Sequence, residues 1–179
     1  MELGYAENLY DVNKDGQQPT YYKSDRNKVE GKTFIGLKDE ITVSGKRGEV
    51  FTSLFWRTYR YVNVTIQTAD QPLTIDDISG TFTGYPFVNN ATFQTDNDTL
   101  QKIVATGWHT ARMCAIETYM DCTYSEQLQY VGDTRLQAMV SLYNSGYARL
   151  STNAINQFDQ SLMAVGIPIG HFPFSRPRP

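Results

Sequence analysis

Asp121, Glu126 and Asp133 are three carboxylates in one run, Asp121-Cys122-Thr123-Tyr124-Ser125-Glu126-Gln127-Leu128-Gln129-Tyr130-Val131-Gly132-Asp133, which also carries Tyr124 and Tyr130. Carboxyls that share a cleft can be driven to different pKa values, so that one stays protonated as an acid while another stays ionised. Aromatic rings set among carboxylates suit a sugar, whose C–H faces stack and whose hydroxyls need acceptors. The same residues have a second reading. Helix starts collect acidic side chains, which cap exposed N–H groups and complement the helix dipole. Spacing alone leaves both readings open.

The elements around this run come from two unlike halves. Up to about Asn90 the signals are β. Arg60 to Gln67 alternates, with Val62, Val64 and Ile66 on one face and Asn63, Thr65 and Gln67 on the other, which predicts a half-buried strand. Glu40-Ile41-Thr42-Val43, closed by Ser44-Gly45, predicts another, and Glu49-Val50-Phe51 and Gly80-Thr81-Phe82-Thr83 predict shorter ones. Asp15-Gly16 and Gln71-Pro72 mark turns, and residues 11–33 are polar and aperiodic, which predicts a long loop.

From Thr95 the period becomes helical. Leu100, Ile103, Val104, Gly107, Trp108, Ala111 and Cys114 follow i, i+3, i+4, i+7 spacing, with Asp96, Asn97 and Asp98 as candidate caps. A second helix is expected from about Asp133 to Tyr143, with Leu136, Met139, Val140 and Tyr143 inward and Gly146 as its stop. A third is expected from Tyr147 to Met163, and short connections would make these helices antiparallel neighbours.

The acidic run resembles the signature of the bacterial α-L-rhamnosidases, glycoside hydrolases with a six-hairpin (α/α)6 barrel. Asp121-Cys122, Glu126 and Gly132-Asp133 match that signature, while Thr123 replaces its usual proline and Tyr130 stands where many members have Trp. Tyr5 to Asp11, Phe55 to Tyr61 and Phe82 to Phe87 look like family segments in the same order. The resemblance therefore implies a multidomain protein: residues 1–90 the C-terminal part of an antiparallel β-sandwich domain, 91–167 the first helices of the (α/α)6 catalytic domain, and 168–179 an irregular tail foreign to the pattern.

The resemblance also implies roles. Rhamnosidases of this type invert the anomeric centre, which needs one protonated carboxyl and one base carboxylate ~6.5–9.5 Å apart. Glu126 matches the acid position, and Asp121 and Asp133 match positions that hold rhamnose hydroxyls and tune the acid. Tyr130, and less so Tyr124, would stack on the sugar. The base belongs to a late hairpin of the barrel, and Glu117 fits no family position. The chain is thus expected to be an internal fragment, inactive alone, of an enzyme that removes terminal α-L-rhamnose from glycosides or polysaccharides. Another (α/α)6 glycosidase, or a non-catalytic carbohydrate-binding or structural β-sandwich module, remains the alternative.

Composition sets the outer bounds. A formal net charge of −3 gives no reason to expect nucleic acid, and 40% hydrophobic with 20% charged residues is a globular balance. No apolar run approaches the ~20 residues that span a bilayer. The start, Met1 to Tyr5, has neither the basic nor the apolar part of a signal peptide, and the periplasmic or extracellular placement of the parent is implied by resemblance only. His109 and His171 have no partner at metal-ligand spacing, so neither metal nor organic cofactor is expected. Cys114 and Cys122 read as free thiols, with a disulfide between them left open. Trp56, Arg57 and Arg60 read as packing residues of the β half, and Trp108 as core.

Overall fold

The computed structural model describes residues 1–16, 18–23, 25–162 and 170–172. In chain order they form β1 (Glu2–Ala6), β2 (Tyr10–Asn13), β3 (Thr20–Lys23), β4 (Leu37–Glu40), β5 (Tyr61–Thr65), α1 (Asp98–Met113), β6 (Gln129–Tyr130), α2 (Val131–Ser145), α3 (Arg149–Gln160) and β7 (His171–Phe172). They gather into two compact units, Met1–Gly80 and Thr81–Pro179.

In the first unit β1 lies between β4 and β5, antiparallel to both, with Leu3 opposite Asp39 on one side and Val64 on the other. β2 and β3 form a separate antiparallel hairpin. Among the described residues of this unit, Gly4, Tyr5, Ala6, Asn8 and Leu9 are buried. Gly36 leads into β4 because a Cβ there would lie 2.0 Å from the Tyr5 carbonyl oxygen. Arg57 donates to Asp39 at 2.6 Å, with its guanidinium over the Tyr5 and Phe55 rings, and Phe55 stacks on Trp56 at 4.9 Å.

Several expectations for this half need correction. The stretch 11–33 is not one long loop, since it holds most of β2 and all of β3, with Asp15-Gly16 in their connection. Glu40 is where β4 ends rather than where a strand begins, and Glu49–Phe51 and Gly80–Thr83 are irregular. β5 sits where the alternation put it, yet Val62, Val64 and Ile66 stay exposed. A period of two says which side chains share a face, and another layer must still cover that face to bury it.

In the second unit α2 packs against both α1 and α3. The core is Ala115, Tyr119, Leu150 and Ala154, with Tyr85, Phe87, Ala138 and Phe158 against it. Thr81 to Asn90 belongs here: the Tyr85 N–H donates to Ala115 O at 2.7 Å and the Asn90 N–H to Asn144 O at 2.8 Å. Asn97 caps α1 by accepting from the N–H groups of Thr99 and Leu100, and Gly146 ends α2 with φ of 72°. α3 spans less than the stretch read as helix from Tyr147 to Met163, and Met163 lies outside the described residues.

The inward face of α2 is a second correction. Leu136, Met139 and Tyr143 point outward, while Thr134, Ser141 and Ser145 are buried. The Tyr119 hydroxyl explains the inversion. It lies in the core, 2.6 Å from Ser141 Oγ and 3.0 Å from Ser151 Oγ, so the facing helices must supply small hydroxyl residues. Likewise α1 buries only its C-terminal end, at Ala111 and Cys114, leaving Leu100, Ile103 and Val104 exposed. Trp108 is half-buried with its ring 5.8 Å from that of Phe87.

Candidate active site

The acidic run forms the connection from α1 to α2. After α1 the chain reverses through an isolated bridge between Ala115 and Tyr119, and the Met120 N–H returns to Cys114 O at 2.8 Å. The next residues close a small loop. The Asp121 N–H donates to Leu128 O at 2.8 Å, and Asp121 Oδ1 accepts from the Leu128 N–H at 2.9 Å. Inside it the Gln127 N–H donates to Cys122 O at 3.1 Å and the Glu126 N–H to Cys122 Sγ at 3.1 Å. Gln127 takes a φ of 58°, which costs a non-glycine residue energy, and its side-chain amide donates to Thr123 O at 2.9 Å. Glu126 is exposed at the outer end of this loop.

β6 ties the loop to the helices. Gln129 is fully buried: its Oε1 accepts from the Tyr119 N–H at 3.2 Å and its Nε2 donates to Gln157 on α3 at 2.8 Å. Tyr130 follows, half-buried, and its backbone opens α2 without a side-chain cap. Asp133 is exposed in the first turn of α2, where its charge complements the helix dipole. It is not the N-cap.

The Tyr130 hydroxyl pKa is pushed up by loss of water around it, then by the Glu126 carboxylate, and then by the charges of Asp121 and Cys122. The thiol of Cys114 is likewise raised, by burial first and then by Cys122, Asp121 and Asp133. Glu126 and Asp121 thus both act on the Tyr130 hydroxyl, and Asp121 and Asp133 both act on the Cys114 thiol. Both cysteines are free thiols. Two hollows of the described surface lie elsewhere, one along Ala148 to Asn156 and the other around Met1, Glu40 and Gln67. No group of three or more His, Cys, Asp and Glu among the described residues is placed to hold a metal ion.

An exposed carboxyl on a braced loop, beside a phenol and a second carboxylate, can pass a proton to an oxygen approaching from solvent. The family model for the bacterial alpha-L-rhamnosidase 6 hairpin glycosidase domain matches residues 89–178, which contain this loop. The chain belongs to this family. The match starts within the irregular segment before α1 and takes in α1, α2, α3, β6 and β7. No curated protein and no solved structure gives a match.

The match also reaches into the tail. Residues from 168 onward, read as foreign to the pattern, fall within the rhamnosidase domain up to 178. Part of that tail is also ordered into β7, which pairs with β6 so that His171 faces Tyr130. Sequence reasoning missed His171 and Gln129. A two-residue strand carries no periodicity, and a buried glutamine in an acidic loop looks like a solvated one. Tyr124 is half-buried, and Glu117 is exposed in the turn before Tyr119. His109 is exposed, and the Arg112 guanidinium lies 5.3 Å from the centre of the Phe82 ring.

Proposed function

We propose that this chain carries the general acid of an inverting α-L-rhamnosidase, and that Glu126 is that acid. The observation that carries the reading is the exposed Glu126 carboxyl on a loop closed by Asp121 and Leu128, within a domain matched to the rhamnosidase family. In this reading Glu126 protonates the glycosidic oxygen as the bond to the anomeric carbon breaks. Asp121 and Asp133 accept hydrogen bonds from rhamnose hydroxyls. Asp121 also holds the loop shut through Leu128, so its carboxylate is fixed before substrate arrives.

Inversion needs a second carboxylate on the opposite face of the sugar to activate water. We assign that role to none of the acids in this chain. A six-hairpin barrel is built of paired helices, many more than the three described here, and its remaining hairpins are the source of the base. The strands of the first unit then belong to a β-sandwich domain, and α1 to α3 open the (α/α)6 barrel. The substrate class is terminal α-L-rhamnosides of glycosides or polysaccharides.

The test is rhamnose release from an aryl α-L-rhamnoside by the protein that holds these residues within the whole barrel. Early NMR spectra of the reaction should show the β-anomer of rhamnose first. Release of the α-anomer first would contradict inversion. Turnover undiminished in Glu126→Gln would remove Glu126 from the mechanism.

A further inference from the structure

Three successive backbone N–H groups of the acidic loop are received by two residues. The Glu126 N–H donates to Cys122 Sγ at 3.1 Å, the Gln127 N–H to Cys122 O at 3.1 Å, and the Leu128 N–H to Asp121 Oδ1 at 2.9 Å. The receiving pair is fixed in turn. The Met120 N–H returns to Cys114 O at 2.8 Å, and the Asp121 N–H donates to Leu128 O at 2.8 Å. Within this arrangement the Cys122 side chain has a task of its own. Its sulfur receives the main chain of Glu126 itself, whereas the other bonds hold the residues on either side. Cys122 is a half-buried free thiol, and a thiol sulfur is a weak acceptor. Glu126 is exposed, and Gln127 beside it takes a φ of 58°, so backbone preference does not keep this stretch in place.

We propose that Cys122 is a positioning residue, whose sulfur anchors the main chain of Glu126 and so sets where its carboxyl is presented. The inference rests on the reading of Glu126 as the acid. The strength of the bond decides what kind of role this is. An N–H that donates to sulfur makes a weak bond, and at the exposed Glu126 water can take the place of the acceptor. Removing the thiol therefore leaves the fold standing. What it takes away is the fixed place of the Glu126 backbone, and misplacing a catalytic group by about 1 Å can cost about 100-fold in rate. Loss of the sulfur is felt in proton transfer, more than in stability or in sugar binding.

The experiment has two arms, both on the protein that holds these residues within the whole barrel. In the first, hydrogen exchange at the Glu126 amide is read by mass spectrometry with residue-level fragmentation. Cys122→Ala should speed that exchange about 3- to 10-fold, as expected for one lost hydrogen bond. Cys122→Ser, which offers a hydroxyl oxygen, should restore the protection. Should Cys122→Ala fail to fold, Cys122→Val, of comparable size and without an acceptor, takes its place. An exchange rate that ignores the loss of the sulfur overturns the anchor whatever the protein's activity. In the second arm turnover is measured on aryl rhamnosides of graded leaving group. Cys122→Ala should lower kcat about 10- to 100-fold for poor leaving groups with little change in KM. The loss should shrink for activated leaving groups and recover in Cys122→Ser. In a Glu126→Gln background the same substitution should add little, because both changes strike one step. A loss equal for all leaving groups, a loss retained in full in Glu126→Gln, an effect on KM alone, or none at all overturns the positioning role. Faster Glu126 exchange in Cys122→Ala, in a protein whose wild type releases no rhamnose, would place the fault in the proposed function and leave the anchor standing.

Discussion

Asp121 and Leu128 hold each other twice, once through their main chains at 2.8 Å and once from the Leu128 N–H to the Asp121 carboxylate at 2.9 Å. The intervening residues, Glu126 among them, are thereby confined to a closed loop. The carboxylate of Asp121, expected from the resemblance to hold rhamnose hydroxyls and tune the acid, is also the clasp of the loop that carries Glu126.

This double role separates two substitutions. Asp121→Ala removes the acceptor and should cost about 1 kcal/mol of stability, with faster hydrogen exchange at the Leu128 amide. Asp121→Asn keeps an acceptor oxygen, so the loop should stay closed while rhamnoside turnover falls with the lost charge. An unchanged Leu128 exchange rate in Asp121→Ala would contradict the clasp.

Glu126→Gln keeps the shape and removes the proton. General acid catalysis contributes about 10²–10⁴-fold, so the loss in kcat should approach that range for rhamnosides with poor leaving groups. It should shrink for activated aryl rhamnosides, whose leaving groups need little protonation. Equal losses across a leaving-group series would mean that Glu126 binds rather than protonates.

Tyr119→Phe leaves the ring volume in the core but removes the oxygen that the Ser141 and Ser151 hydroxyls meet at 2.6 and 3.0 Å, although Ser141 Oγ still donates to Ala138 O at 3.0 Å. The expected cost is about 1–2 kcal/mol, read as a lower denaturant midpoint at unchanged slope. A midpoint equal to wild type would show that the hydroxyl cluster contributes nothing net.

In the first unit the Arg57 guanidinium, hydrogen-bonded to Asp39, holds that carboxyl below its ordinary value against the opposing effect of burial. A depressed folded pKa stabilises the fold above the unfolded pKa of about 4, and the contribution is lost as pH falls through the folded value. Stability of this unit should therefore drop below about pH 4, and Asp39→Asn should flatten the drop. Urea unfolding followed by Trp56 fluorescence in a Trp108→Phe background measures it. An acid slope identical in Asp39→Asn would assign the effect to other carboxylates.

Local chemistry settled much of this protein in advance. Asn97 could cap a helix and Gly146 could end one because a side-chain oxygen and a missing Cβ act over a few residues. The run that holds Asp121, Glu126 and Asp133 carried the family resemblance, and it lies within the residues that the family model matches. Tertiary structure decided the rest. Helical and strand periods predicted that Leu136, Met139, Tyr143, Val62 and Val64 would be covered, whereas burial followed the demand of one buried hydroxyl on Tyr119 and the reach of neighbouring layers. The ring partner of Tyr130 was hidden for the same reason. His171 lies far along the chain, and only the antiparallel pairing of two very short strands, which hydrogen bonds fix and no sequence period encodes, brings its ring to Tyr130.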